Sequence, residues 1–407
     1  MIGYIEVMNP YYSRVIEKRL SKALSQFPVC LVTGPRQAGK STLLQEALKK
    51  YRYVTLDDPI HRQLANEDPE LFLSQYAAPV VIDEIQYAPG LLPYIKIIVD
   101  KNRREYGQYI LTGSQTFQIM EGVKESLAGR VAIFHLYPFS WEEVVSIPGH
   151  AHASQAVESC VLQTIQGFYP EFFVTPNLDW NLWYGSYLST YVERDIRNIR
   201  AITDLGRFQT FIGLLAARAG SLLNIAEIAK ECGISQPTAK DWLTILESTY
   251  IIYLLKPYHS NHSKRLVKSP KLYFVDTGLL CYLLGIDSSE RFLRSSERGH
   301  IFENMVIMEC IKRFASHNGF YQCYFYRTSS GVEVDLICEY GNEIAAYEIK
   351  FAKTLSTDMA KSLNLFSKDN KTHYLRVLTL NNQEVELTRE VTAYHWSSVL
   401  KDFQSLN

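Results

Sequence analysis

One stretch constrains this chain more than any other: Gly34-Pro35-Arg36-Gln37-Ala38-Gly39-Lys40-Ser41, set between the apolar run VCLVTG and the helical pattern STLLQEALKK. Glycines at the two ends of a short loop let the backbone curl around an anion. The amides that open the following helix point into that curl. The order strand, GxxxxGK[ST] loop, helix is the setting the motif needs, and it calls for a loop leaving a buried strand of a parallel α/β sheet. Residues 34–42, ending at Ser41 and Thr42, are then expected to cradle nucleotide phosphates. Lys40 would neutralise the β- and γ-phosphates, and the Ser41 hydroxyl would ligate Mg²⁺. ATP and Mg²⁺ are the expected ligands.

The flanking pattern agrees. Residues 10–26 read as an amphipathic helix, and strand-like runs recur at 51–56, 79–82 and 108–112 with helical patterns between them. Such alternation implies βαβ units. The run PVVIDE ends in two carboxylates: Asp83 suits a Mg²⁺ ligand, and Glu84 suits the base that orients the attacking water. In QYILTGS, Ser114 is the hydroxyl expected between phosphate and water, with Thr112 as its competitor. Arg130 in SLAGRV has two readings. It is an arginine finger offered to a neighbouring subunit's γ-phosphate, or a surface residue in a salt bridge.

Composition narrows the classes. The 42 basic residues nearly cancel 43 acidic ones, so no global field marks a nucleic-acid or membrane binder. No run approaches the ~18 apolar residues of a membrane span, and the first residues lack the pattern of a secretory signal. A cytoplasmic protein with no membrane partner is expected. Seven cysteines without a CxxC pair argue against a disulfide framework or a structural zinc site.

Beyond residue 150 the strands fade, and 155–205 looks helical and aromatic-rich. Residues 222–246 have helix-turn-helix spacing: IAEIAKEC, a turn at Gly233-Ile234-Ser235, then QPTAKDWLTIL, with Ser235 as cap and Pro237 in the first turn. Gln236, Thr238, Lys240 and Asp241 would face outward. The stretch from Ser248 to Val275 has no acidic residue but holds Lys256, Lys264, Arg265, Lys268 and Lys271. As a wing it would contact DNA; the competing reading is a protein-docking module.

Toward the end, Glu303 lies in a long helical pattern, Asp335 in the strand EVDLI, and Glu348 and Lys350 in EIK. Positions i and i+2 of a strand share a face, so Glu348 and Lys350 would point together with Asp335 facing them. Three carboxylates, Glu303, Asp335 and Glu348, suit Mg²⁺ or Mn²⁺, and a lysine beside the metal suits phosphodiester cleavage. The alternative is a catalytically silent fold in which Arg327, Asp335, Glu348 and Lys350 simply pair.

Taken together, GPRQAGKSTLL, VVIDEIQ, YILTGS, SLAGRV, YVERDI, KRLVKSPKLYFVDTGL, EVDLI and EIK resemble the AAA+ superfamily ATPases of bacteria and archaea that carry a C-terminal domain of unknown function. The Asp…Glu-x-Lys set resembles the PD-(D/E)XK nuclease core. The resemblance implies an α/β P-loop ATPase domain over 1–150, a helical linker over 151–205, a winged-helix-like segment over 206–285 and a restriction-endonuclease-like α/β domain over 286–407. It further implies ATP hydrolysis; with the helix-turn-helix spacing and the acid-free stretch, the first expectation is hydrolysis coupled to DNA contact, with a homo-oligomer wherever Arg130 acts across subunits. The other expectation is a nucleotide-gated protein-interaction switch.

Overall fold

A computed structural model describes residues 10–114, 122–123, 125–150, 157–191, 204–258, 268–317, 321–399 and 401. The chain forms two compact units. The first holds the residues up to Phe139 with Tyr169–Leu178 and Ala315–His317; the second holds Ser140–Phe168, Asp179–Phe314 and the remainder.

In the first unit, helices α1 (Ile16–Leu24), α2 (Lys40–Ala47), α3 (Pro59–Glu67), α4 (Pro69–Gln75) and α5 (Leu91–Lys101) surround five strands. These are β1 (Val29–Thr33), β2 (Arg52–Thr55), β3 (Val80–Asp83), β4 (Tyr109–Gly113) and β5 (Val131–His135), in the order β2-β3-β4-β1-β5. Every pairing is parallel. Strands β1, β3 and β4 are buried at every position, which is why they read as unbroken apolar runs. Alternate residues serve opposite faces. Leu31, Ile82 and Leu111 pack with Leu91 and Ile95 of α5, whereas Val32, Val81 and Ile110 pack with Ile16, Leu20 and Leu43. This is the α/β fold with a parallel sheet that the motif spacing called for. Strand β5 is absent from the sequence expectation. It is an edge strand only partly buried at four of its five positions, so its apolar signal is weak.

The second unit contains a helical part and an eight-stranded sheet. Helices α6 (Val157–Gln166), α7 (Leu205–Ala216), α8 (Ile225–Cys232) and α9 (Gln236–Ser248) precede the hairpin β6 (Ile252–Pro257) and β7 (Lys271–Phe274). Asn224 caps α8 and Gly233 closes it with φ 64°. The Ser235 side chain accepts from the Thr238 N–H at 3.2 Å to start α9. Trp242 sets α9 edge-on against Phe208 and Phe211 of α7, with ring centres 5.1 and 5.5 Å apart.

After the twenty-residue helix α10 (Arg298–His317) come β8 (Tyr321–Arg327), β9 (Glu333–Tyr340), β10 (Glu343–Ile349), β11 (Tyr374–Thr379), β12 (Val385–Glu386) and β13 (Val391–His395). The sheet order is β12-β13-β11-β10-β9-β8-β6-β7. Strands β8, β9 and β10 run antiparallel, and β11 then joins β10 in parallel. Hairpin β6–β7 belongs to the same sheet through Lys256↔Tyr324 and Pro257↔Phe325. The sheet therefore runs across the division expected at 285/286. Among the described residues no helix is long and apolar enough to cross a membrane.

Candidate active site

Parallel strands β1, β3 and β4 end together, so the loops that leave them share one edge of the sheet. The 34–41 loop leaves β1. Gly34 passes so close to the backbone ahead of it that a Cβ there would sit 2.0 Å from the Leu136 carbonyl oxygen. Gln37 and Gly39 take positive φ, at 60° and 87°, and turn the chain into α2. Lys40 is buried and donates to the carbonyls of Gly34 at 3.0 Å and Pro35 at 2.8 Å. Its ammonium thus lies along the loop it would serve.

Asp83, the last residue of β3, is the centre of the site. Its carboxylate accepts from the Ser41 hydroxyl at 2.9 Å and from the Tyr53 hydroxyl at 2.5 Å. Thr112 of β4 donates to its other oxygen, and the Thr112 hydroxyl accepts from the Glu84 N–H at 3.0 Å. Burial, then the bond to Asp83, pushes the Tyr53 phenol above its ordinary pKa, so it remains a donor. Ser41 and Asp83 offer hard oxygen donors side by side, a set that fits Mg²⁺.

Glu84 follows in the left-handed region, φ 59° and ψ 48°, which costs a side-chain-bearing residue about 1 kcal/mol. That turn aims its carboxylate at Gln86, whose amide donates to it and also reaches Ser114 Oγ at 3.5 Å. The structure therefore splits the two hydroxyls that competed in the sequence. Thr112 braces Asp83, while Ser114 sits on the Glu84 side through Gln86. Tyr53 belongs to no motif, and Gln86, although it ends the VVIDEIQ run, has no role that the motif assigns.

Arg14 was also missed. It lies before α1, yet its guanidinium donates to the Ala38 carbonyl at 2.9 Å and the Tyr137 carbonyl at 2.7 Å and covers the Phe139 ring at 4.7 Å. It pins the phosphate loop from outside. Beside it, Tyr11, Tyr12, Thr42, Phe139 and Pro170 line a cavity of about 360 Å³ that adjoins Gly39. Aromatic walls next to a phosphate loop suit a nucleobase.

Arg130 is elsewhere. It precedes β5, whose first residue pairs with Val29, so it stands at the opposite edge of the sheet from the phosphate loop. Five strand residues of about 3.3 Å rise separate the two edges. Its guanidinium forms a two-point bridge to Asp100 at 2.7 and 3.0 Å. Within its own chain, then, Arg130 has the salt-bridge role.

In the second unit, Glu303 of α10, Asp335 of β9 and Glu348 of β10 are buried in one polar cluster, with the half-exposed Lys350 at its border. Lys350 Nζ is 2.6 Å from Glu348 Oε1, and the Ile349 N–H donates to Asp335 at 2.8 Å. Lys271, a residue the sequence reading assigned to a basic wing, is instead 2 % exposed and lies among these groups. Its ammonium is 2.5 Å from Glu333, 3.0 Å from Glu303 and 3.8 Å from Asp335. Tyr273, on the same face two residues along β7, donates to Glu303 at 2.6 Å.

Burial opposes the Lys271 charge, but Glu303, Asp335 and Glu333 outweigh it and hold its pKa above the ordinary lysine value. Burial, then Glu303 and Glu348, push the Asp335 carboxyl well above the usual range. Arg327 bonds Glu333 at 2.7 Å rather than joining Asp335 and Glu348. The alternation of Glu333 with Asp335 could have revealed Glu333; nothing local could have revealed Lys271.

The three carboxylates of the expected metal site are held here by other partners. Glu303 is already engaged by Lys271 and Tyr273. Among the described residues the one set of three ligand atoms drawn within 4.8 Å is made of cysteines, not these carboxylates.

On α9, Gln236, Lys240 and Asp241 are exposed, as are Lys256 and Lys268. Lys264 and Arg265, and residues 192–196 of the YVERDI segment with Arg194 and Asp195, lie outside the described residues.

A β2-β3-β4-β1-β5 parallel sheet with this loop and this Asp-Glu strand end defines a P-loop ATPase of the AAA type. Residues 26–145 match the AAA domain family, 158–290 match a domain of unknown function (DUF8612), and 298–399 match another (DUF4143). The chain belongs to the family of the uncharacterized protein Rv2008c of Mycobacterium tuberculosis. It is 32% identical to that protein over 341 residues, covering 83% of this chain and 74% of the relative. An uncharacterized protein of Haemophilus influenzae is 22% identical over 364 residues, covering 84% of this chain and 86% of that one. Among solved structures, the Walker-type ATPase PABY2304 of Pyrococcus abyssi aligns with a TM-score of 0.47 and 17% identity, over 67% of this chain and 96% of that one.

Proposed function

We propose that this ATPase hydrolyses ATP by in-line attack of water on the γ-phosphate and that its nucleotide state governs contact with DNA. The observation that carries the first part is the Ser41–Asp83–Thr112–Glu84 network at the mouth of the phosphate loop. In this reading residues 34–42 hold the phosphates and Lys40 neutralises them. Asp83 and Ser41 would hold Mg²⁺, which supplies further charge neutralisation on the β- and γ-oxygens. Glu84 aligns the water, and Ser114, through Gln86, reports its position. The adenosine moiety lies against Tyr11, Tyr12 and Phe139.

Contact with DNA is drawn from the exposed Gln236, Lys240 and Lys268 around α9 and β7. Loss of Lys271 from that surface weakens this part, because a buried ammonium neutralises no phosphate. Arg130 acts as a finger only where a second copy displaces Asp100 from it.

A second reading is favoured by Lys271 itself. Seated among Glu303, Glu333 and Asp335, it satisfies their charge from within the chain, as a catalytically silent nuclease-like fold used for docking would.

ATP turnover measured with and without single- and double-stranded DNA separates the readings. Stimulation that disappears on neutralising Lys240 and Lys268 supports DNA coupling; turnover indifferent to DNA supports the docking switch. Metal-dependent nicking that is abolished by Asp335→Ala would restore the cleavage role.

A further inference from the structure

Three cysteines far apart in sequence meet in the second unit. Cys310 comes from α10, Cys323 from β8 and Cys338 from β9, with Cys323 and Cys338 directly opposite each other on antiparallel strands. Cys310 Sγ is 3.7 Å from Cys338 Sγ, and Cys323 Sγ is 3.9 Å from it. All three sulfurs lie within 4.8 Å of one another.

Those separations have a geometric meaning. Zinc–sulfur bonds of about 2.3 Å at tetrahedral angles place neighbouring sulfurs about 3.8 Å apart, and a trigonal set opens this to about 4.0 Å. That spacing is also ordinary sulfur–sulfur contact; what marks this group is that three sulfurs from three separate elements converge within 4.8 Å of one another. The surroundings suit a thiolate site as well. Cys310 and Cys338 are fully buried and Cys323 is half-buried. The stacked rings of Phe314, Tyr321 and Tyr340, with centres 4.2 and 4.4 Å apart, flank the trio.

We propose that Cys310, Cys323 and Cys338 bind one soft d¹⁰ metal ion, of the zinc or cuprous class, as a three-thiolate site. Soft sulfur donors select such ions over Mg²⁺ or Ca²⁺. Binding releases the thiol protons, and the ion bonds directly to the three sulfurs, with no oxidant or reductant required. Among the described residues no histidine or carboxylate completes the group, so the chain itself offers three donors.

The consequence is mechanical. Cys310 lies two turns along α10 from Glu303, and Cys338 lies three residues beyond Asp335 on β9. An ion here ties together the helix and strand that carry the buried carboxylate cluster.

The test uses the full-length protein, reduced, stripped with a chelator and freed of reductant, then titrated with Cd²⁺ while the ultraviolet thiolate-to-metal absorbance is followed. The expected result is saturation at one ion per chain, displacement by Zn²⁺, and a melting temperature raised by about 5 °C on metal binding. Cys323→Ser, at the half-buried position, should lose the band while melting as the metal-free wild type does. Cys30→Ala, in the other unit, should keep it. A band that survives in Cys323→Ser overturns the proposal. So does the absence of any band at one equivalent. A Cys323–Cys338 disulfide that forms without reductant, with no metal uptake after its reduction, would overturn it equally.

Discussion

Removing the Lys271 ammonium should destabilise the second unit by about 3 kcal/mol, and the structure says why. Lys271→Met keeps the length of the side chain but leaves Glu303, Glu333 and Asp335 without the cation that lies 2.5 to 3.8 Å from them. Breaking a buried ion pair from one side costs roughly 3–5 kcal/mol, mostly because the partner charge is stranded. The low end applies here, because Tyr273 still donates to Glu303 and Arg327 still bonds Glu333.

The sign with pH follows from the raised pKa of Lys271. Its contribution is fully present below the ordinary value of 10.5 and fades as pH rises through the higher folded value, so an assay at neutral pH reads all of it. All five tryptophans, at 141, 180, 183, 242 and 396, belong to the second unit. Urea unfolding followed by tryptophan fluorescence therefore reports this unit selectively. For a unit of this size the loss corresponds to about 6–12 °C in Tm. Adding Glu303→Gln should return roughly half of it, since the stranded charge is removed with its partner. A Lys271→Met protein within about 0.5 kcal/mol of wild type would refute the reasoning; the cluster would then not depend on an internal cation.

Gly34→Ala should cut nucleotide affinity at least about tenfold by equilibrium binding of a fluorescent ATP analogue, because its Cβ would meet the Leu136 carbonyl oxygen at 2.0 Å and displace the loop. Arg14→Ala should cost the first unit about 2 kcal/mol through the lost charged bonds to the Ala38 and Tyr137 carbonyls, read as a drop in Tm; Arg14→Lys, which cannot span both carbonyls with a planar fork, should recover only part.

The first unit was largely legible because its signals are local. A buried parallel strand shows as an apolar run, and each run ended at a residue whose type suited the sheet edge: Gly34 after β1, Asp83 at the end of β3 and Ser114 after β4. The bracing around them was not legible. Tyr53 and Arg14 act through tertiary contacts to Asp83 and the Ala38 carbonyl, which no spacing rule encodes, and Gln86 reaches Glu84, two residues back, and Ser114 of another strand end.

In the second unit the helix-turn-helix pattern could be read from Gly233, Ser235 and Pro237, whose turn and cap chemistry is sequence-local, while Asn224, the cap of α8, was not picked out. Strand β12, only two residues long, and its neighbours β11 and β13 gave too little periodicity to stand out. Lys271 misled because a lysine in an acid-free stretch reads as surface charge, while its partners Glu303, Glu333 and Asp335 come from elements more than thirty residues away. The meeting of Cys310, Cys323 and Cys338 was hidden for the same reason: their intervals match no ligand spacing and converge only when β8, β9 and α10 pack.

The function proposed for this chain rests on hydrolysis of ATP at the Asp83–Glu84 strand end. Steady-state phosphate release by Glu84→Gln, compared with wild type alongside nucleotide binding by both, tests it most directly. Binding should stay within about twofold of wild type and turnover should fall at least ~100-fold, the share a positioned base contributes. Wild-type turnover from the Glu84→Gln protein would contradict the assignment.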